Sequence, residues 1–423
     1  MTPGGSRLLL KIRKRCFLQM FGYEWVDVEH QHSRFIHEMS RFHKTWNVQG
    51  EVSAPTLSDD GLVANWTVDT RGPNWRVATD YYYLRWDDIV AIDRSVGDWR
   101  RFPAGIAALL DFAVTGTGFS YFTFAWRYGC FFLYPLIAIG VICGLSIWSA
   151  WSALRLGGLP SPVLWLPAAS IAIFLALWWM LRTRIFIRYA LDDWCFARDF
   201  VRGRRPELDR RLERFARELL RLARETDADE IVIDGTSLGA PLTLLVVDRA
   251  LALDPKLGSG GKPIHLVSSG SSLLKLALHP AAGWLRQAVG RVANTPTIYW
   301  VEFQAEEDFL NVYDVDPVVA LDMPPTGKPI VKLISVRQMV EEATFRRLLL
   351  NFFRMHRQAR SGNERRYYYD YYMLCCGPIA LADRVEYSDQ VVAAFAADGA
   401  LAEGAFIENG PTTGLPVTAE SSR

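Results

Sequence analysis

Gly235-Thr236-Ser237-Leu238-Gly239 places a serine between two glycines, directly after the β-branched run Glu230-Ile231-Val232-Ile233-Asp234 and directly before the apolar stretch Ala240 to Leu253. A strand that turns sharply into a helix holds the residue at the turn in strained backbone angles, and only small residues two before and two after it let strand and helix approach. A serine held this way presents its hydroxyl as a nucleophile for acyl transfer. Composition alone yields the five-residue pattern in roughly one chain in ten of this length, so its weight comes from its place between strand and helix. The bland alternative is a glycine-rich turn with no catalytic serine.

The string EIVIDGTSLGAPLTLLVVDRAL resembles the nucleophile elbow of lipase and esterase members of the α/β-hydrolase superfamily. Those members carry His before the nucleophile where this chain has Thr236, a position outside the triad that bears on substrate preference more than on mechanism. More widely, the chain is similar to a group of uncharacterised bacterial membrane proteins in which such a hydrolase is split by a transmembrane hairpin. The stretches suggesting that group are Thr79 to Val90, Ser271 to Arg286, Trp300 to Pro317 and Asn351 to Gln358. Only the elbow among them is specific to a chemistry. The resemblance implies a serine hydrolase acting on an ester or thioester without cofactor or metal.

It also implies a chain order in which the acid and then the histidine follow the serine. Of seven histidines, His30, His32, His37 and His43 precede Ser237, His265 lies inside a strand, and His279 comes before the best acid. His356 alone follows every acid candidate between residues 302 and 316; its bland alternative is a solvent-exposed histidine at a helix end. Asp308 lies just beyond the strand Thr297–Gln304, where a carboxylate can orient an imidazole. Glu306, Glu307, Asp314 and Asp316 compete with it. For the oxyanion hole, one donor is the backbone N–H of Leu238, and the other comes from the turn Gly22-Tyr23-Glu24, with Tyr23 the favoured donor.

The elements that must position these residues alternate. Leu8 to Met20 reads as a strand and His30 to His43 as a helix. After an amphipathic helix at Pro206–Glu225, strands at Glu230–Asp234, Pro263–Ser268, Thr297–Gln304 and Lys328–Val336 are interleaved with helices at Ala240–Leu253 and Glu341–Met355. Such alternation argues for an α/β fold, an α/β-hydrolase-like, mostly parallel sheet with helices on both faces. The strand Leu8–Met20 is expected in the same sheet as Glu230–Asp234, since the later segment has no strand of its own to supply the second oxyanion donor.

Two runs interrupt this pattern. Tyr128 to Leu154 and Leu156 to Leu181 contain no Asp, Glu, Lys or Arg, and each exceeds the roughly 20 apolar residues that cross a bilayer as a helix. With the breaker-rich loop Gly157 to Pro162 between them, they read as a two-helix transmembrane hairpin spanning about 128–154 and 161–181 within a segment 121–188. The hydrolase domain would then comprise 1–120 and 189–392, with a loosely ordered tail at 393–423. Arg127 before the hairpin and seven arginines from Arg182 to Arg205 after it, against Arg155 alone in the connection, place both soluble segments and both termini on the cytoplasmic side of a bacterial inner membrane.

With 47 basic and 46 acidic side chains, a formal net charge of +1 and no basic stripe interleaved with aromatics, a nucleic-acid partner is set aside. The expected partners are the lipid bilayer and a small-molecule or lipid ester. Six cysteines without a CxxC pair read as thiols in a reducing compartment. The N-terminal histidines lack the spacing of a helical zinc site, and the run Tyr367 to Tyr372 reads as packing. Transport is disfavoured because neither span carries an ionisable residue. The remaining competitor is a non-catalytic membrane scaffold or sensor that uses a hydrolase-like domain for binding.

Overall fold

The computed structural model describes residues 8–157 and 162–408. Most of the expected hairpin turn, residues 158–161, and the end of the tail, residues 409–423, lie outside the described residues. In chain order the strands are β1 Leu9–Lys11, β2 Lys14–Met20, β3 Gln49–Val52, β4 Thr56–Leu57, β5 Val63–Gly72, β6 Trp75–Leu84, β7 Glu230–Thr236, β8 Ile264–Ser269, β9 Ile298–Ala305, β10 Ile330–Ile334 and β11 Phe406–Glu408.

The main sheet runs β10-β9-β8-β7-β2-β6-β5-β3, with β4 also on β5. Neighbours from β10 through β6 are parallel, and the pairs made by β5 are antiparallel. Every residue of β7 and β8 is buried, as expected for parallel strands covered on both faces. β2 pairs directly with β7, Arg15 opposite Glu230 and Met20 opposite Gly235. On one face Phe17, Tyr81 and Val232 share a cluster with Phe35, Phe42 and Trp46 of the helix Val28–Trp46. The alternating residues Leu18, Ile231 and Ile233 are equally buried on the other face.

At the N-terminal end of these strands, Arg15 and Glu230 form a buried pair. The Arg15 Nε donates to Glu230 Oε1 at 2.7 Å, and its two terminal nitrogens donate to Gly377 O and Ile379 O at 2.9 Å each. Burial pushes the Glu230 carboxyl up, but Arg15 and then His265 outweigh it and hold it at about 2.

The structure departs from the expected elements at five places. The single strand Leu8–Met20 is two strands, because the Ile12 N–H turns to Pro378 O and the Arg13 and Lys14 N–H groups turn to the Asp229 carboxylate. β10 is shorter than Lys328–Val336, its end being taken by a short helix Val336–Met339. The helix Glu341–Met355 is broken into Glu342–Leu349 and Phe352–Arg357, with the Asn351 side chain capping the second by accepting from the Arg354 N–H at 3.0 Å. The hairpin β5–β6 is an addition, with Trp66, Val68 and Thr70 pointing inward between outward Thr67, Asp69 and Arg71. Finally, the stretch from Ala393 to Glu408 packs rather than trailing loosely. Phe395 meets Trp46 edge-on at 5.1 Å, Trp75 donates to Gly399 O at 2.9 Å, and β11 pairs with β1.

Two compact units emerge. Among the described residues the sheet unit comprises 8–91, 205–277 and 282–408, and the helical unit 92–157, 162–204 and 278–281. The helical unit extends beyond the expected hairpin segment 121–188 at both ends. Helices Asp98–Val114 and Ile187–Val201 are joined by the Arg101–Asp192 ion pair and the edge contact of Phe112 on Trp194 at 5.1 Å, and Tyr121 of Thr117–Phe124 and Trp194 meet Phe132 of the apolar helix Trp126–Leu156 at 5.8 and 5.2 Å. Within this unit Trp126–Leu156 and Val163–Leu181 are long and apolar enough to cross a membrane. The pair Asp98–Val114 and Thr117–Phe124 passes the same test together but is bent by 65°.

Candidate active site

β7 ends at Thr236, and Ser237 turns the chain into the helix Gly239–Leu253 with φ 56°, in the left-handed region that non-glycine residues rarely adopt. The flanking glycines are sterically required. A Cβ on Gly235 would lie 2.5 Å from the Ala240 Cα, and one on Gly239 would lie 2.1 Å from the Met20 carbonyl oxygen. The turn is fastened to β8 and the loop after it, since the Ser237 N–H donates to Ser269 O and the Ser272 N–H donates to Ser237 O, both at 3.1 Å. Elbow geometry thus follows from residue size at positions 235 and 239 and from the parallel neighbour.

His356 and Asp308 meet. The His356 Nδ1 is 2.6 Å from Asp308 Oδ2, and the other Asp308 oxygen accepts from the Leu310 N–H at 2.9 Å. Asp308 is buried just beyond β9. The competing acids are placed differently: Glu307 accepts from the Val336 and Arg337 N–H groups, Asp316 caps the helix Pro317–Ala320, and Glu306 and Asp314 are exposed. His356 lies in the last turn of Phe352–Arg357, and it is buried rather than solvent-exposed. Its Nε2 is also buried and has no hydrogen-bond partner among the described residues.

Between this pair and the serine lies the segment Ser269 to Ser272. A Cβ on Gly270 would be 2.8 Å from the His356 Cε1 and 3.5 Å from Asp308 Oδ2, while the residues on either side of it bond to Ser237. Among the described residues no hydrogen bond joins Ser237 to His356. The serine Oγ instead meets the Ser272 Oγ at 3.5 Å. Ser272 and Gly270 were not singled out from the sequence; the string Ser268-Ser269-Gly270-Ser271-Ser272 at the end of the neighbouring parallel strand was the available signal.

For the oxyanion donors, Leu238 is the N-cap of Gly239–Leu253, where an N–H has no intrahelical acceptor. Gly22, next to Tyr23, makes the close approach, because a Cβ there would lie 2.9 Å from the Ser237 Cβ and 3.3 Å from its Oγ. The turn is tight, with the Glu24 N–H donating to Gly22 O at 2.7 Å, and Tyr23 packs its ring 6.0 Å from that of Trp86.

Beneath the elbow, Asp234 on β7 is buried and neither carboxyl oxygen has a hydrogen bond of normal geometry among the described residues. Burial pushes it up to about 7, against a smaller pull from the Gln19 amide and the Arg360 charge. Tyr369, Tyr371 and Tyr372 pack in the core, and the Tyr371 hydroxyl donates to Gln19 Oε1 at 2.7 Å. Among the N-terminal histidines, His30 pairs with Asp27 and His32 with Ser53 O. Compared with family models, curated proteins and solved structures, the chain matches none of them.

Proposed function

We propose that the chain is a membrane-anchored serine hydrolase of the α/β-hydrolase kind, cleaving an ester or thioester. The observation that carries this reading is the buried Asp308–His356 pair, whose second imidazole nitrogen has no partner among the described residues and which lies against Gly270, in the segment whose Ser269 and Ser272 backbone groups bond to a serine in left-handed backbone. In the mechanism, Ser237 attacks the carbonyl carbon while His356 takes the hydroxyl proton on Nε2 and returns it to the leaving alcohol or thiol. Asp308 holds Nδ1 and balances the imidazolium charge. Backbone N–H groups of Leu238 and Tyr23 stabilise the oxyanion, and water then releases the acyl group from Ser237.

Two helices able to span a bilayer favour a lipidic substrate and an inner-membrane location with the sheet unit on the cytoplasmic side. One observation favours the alternative of a non-catalytic binding module: the hydroxyl of Ser237 meets Ser272 and not His356. Catalytic hydrogen bonds are often long in the absence of substrate, which keeps the hydrolase reading ahead. Labelling of the detergent-solubilised full chain with a fluorophosphonate decides between them. Label that disappears in Ser237→Ala supports the hydrolase, and an unlabelled wild type replaces it with the binding module.

A further inference from the structure

Next to the elbow lies a pocket of about 20 Å³ lined by Phe21, Gln31, Arg34, Glu38 and Arg360 together with core tyrosines. Phe21 directly precedes Gly22, the residue that touches Ser237, and its own carbonyl would be 2.8 Å from a Cβ on Gly239. One wall of the pocket is therefore the residue next to Gly22, just beyond the end of β2, and Gly22 is the residue that approaches Ser237.

Its chemistry is one-sided. Arg34 and Arg360 both reach Glu24, Arg34 at 3.2 Å, and the guanidinium of Arg360 lies 4.8 Å over the Phe21 ring, which fixes its plane. Arg357 adds a third positive charge beside Glu24. Glu38 is engaged by the Gly362 N–H at 2.9 Å and by Arg41 at 3.3 Å. Four guanidinium groups thus surround two carboxylates. Burial, followed by the nearby Arg360 charge, draws Arg34 down to about 10, so it stays protonated at neutral pH.

Two donors are left over inside. The Arg360 Nη1 and the Gln31 Nε2 are buried with no hydrogen-bond partner among the described residues, and their side chains belong to residues only 7% and 3% exposed. A buried guanidinium N–H without an acceptor is costly, and a surplus of charge makes an anionic acceptor the favourable one. The volume admits a single water-sized group.

We propose that this pocket is an anion subsite that takes one oxygen of a carboxylate or phosphate group. Its role as part of a substrate site rests on reading Ser237 as the reacting serine; the anion binding itself rests on the pocket alone. The substrate class is then an ester or thioester carrying a carboxylate or phosphate close to the scissile carbonyl.

Thermal unfolding of the detergent-solubilised full chain tests it, with inorganic phosphate and acetate as probes and chloride as the control for ionic strength. Phosphate or acetate should raise the midpoint of the wild type beyond chloride, and the apparent affinity should fall about tenfold or more in Arg360→Gln and in Gln31→Leu. Gln31→Leu removes a donor without touching the Glu24 ion pairs, so it reports even if Arg360→Gln fails to fold. Glycerol phosphate and a short-chain phosphatidic acid in the same assay separate a soluble source of the anion from a lipid one. No response of the wild type beyond chloride, or an equal response in Gln31→Leu, overturns the subsite, the first result meaning that the pocket holds only water. Fluorophosphonate labelling of the same preparations separates the two readings: a labelled serine with no anion response removes the subsite alone, and an anion response with an unlabelled serine removes hydrolysis alone.

Discussion

Replacing Gly270 by alanine tests the link between Ser237 and His356 without altering either residue. Gly270 has φ 56°, and the added Cβ would sit 2.8 Å from the His356 Cε1 and 3.3 Å from its Nδ1. Asp308 holds the ring at 2.6 Å on the Nδ1 side, so the imidazole cannot simply rotate away. To reach the 3.4 Å of ordinary contact it must retreat by about 0.6 Å. A misplacement of about 1 Å costs on the order of a hundredfold in rate, so a loss of roughly tenfold to a hundredfold is expected. The left-handed backbone adds roughly 1–2 kcal/mol of strain. Gly61→Ala is the control, because it has φ 66° with nothing within 4 Å and so carries the strain without the displacement. The assay is the second-order rate of fluorophosphonate labelling, with hydrolysis of p-nitrophenyl butyrate in parallel and unfolding midpoints alongside. Gly270→Ala should lose at least as much stability as Gly61→Ala, and only Gly270→Ala should lose rate. Equal labelling rates in the two variants and the wild type would refute the argument that His356, placed by this segment, activates Ser237.

Three further expectations follow from buried charge and strand pairing. Asp234 has a folded-state pKa of about 7 against an ordinary 3.8, so the native state binds more protons than the unfolded chain between these values and stability falls as pH rises through that window. The full penalty above pH 7 is about 4 kcal/mol, and Asp234→Asn should flatten the decline in urea midpoint between pH 5 and pH 8; an unchanged slope would assign it elsewhere, with Glu302, also pushed up to about 7 by burial, next in line. Arg15→Met should destabilise the sheet unit by about 3–5 kcal/mol, because it strands the Glu230 charge in the core; a loss near 1 kcal/mol in denaturant titrations would mean that water reaches Glu230. Because β1 and β11 pair, reporters fused ahead of Leu9 and beyond Glu408 should report the same side of the membrane, and opposite sides would be incompatible with that pairing.

What the residues disclosed in advance had local causes. The elbow was legible because glycine spacing and a change of period coincide at residues 230–253, and the parallel strands because they are continuous apolar runs between helices. β5 and β6 escaped notice because half of each strand is polar, with Asp69 and Arg71 facing outward in a strand whose other residues form core. The break between β1 and β2 depends on Asp229, more than 200 residues away, so nothing near Ile12 announces it. The packing of the stretch from Ala393 depends likewise on Trp46 and Trp75, distant in the chain. At the site, residue type and the chain order that the resemblance implies singled out His356 but left Asp308 competing with Glu306, Glu307, Asp314 and Asp316; the contact of His356 Nδ1 with Asp308 comes from the structure. The positions of Ser272 and Gly270 were not, because their importance arises only from bonds to Ser237 and closeness to the imidazole.

The direct pairing of β2 with β7 also sets a timetable for biosynthesis. Arg15 and its partner Glu230 are 215 residues apart, and ribosomes add roughly 5–20 residues per second, so β2 waits roughly 10–40 seconds for its neighbour. β6 is made much sooner and can cover one edge of β2, but the other stays open, with unpaired backbone groups and apolar side chains exposed to any passing chain. Both apolar helices are synthesised within that interval. On the proposed membrane-anchored reading the chain has met the bilayer by the time β7 closes the sheet, and Asp308 and His356 arrive later still. So read, the nascent chain reaches the membrane before it holds the complete set of candidate site residues.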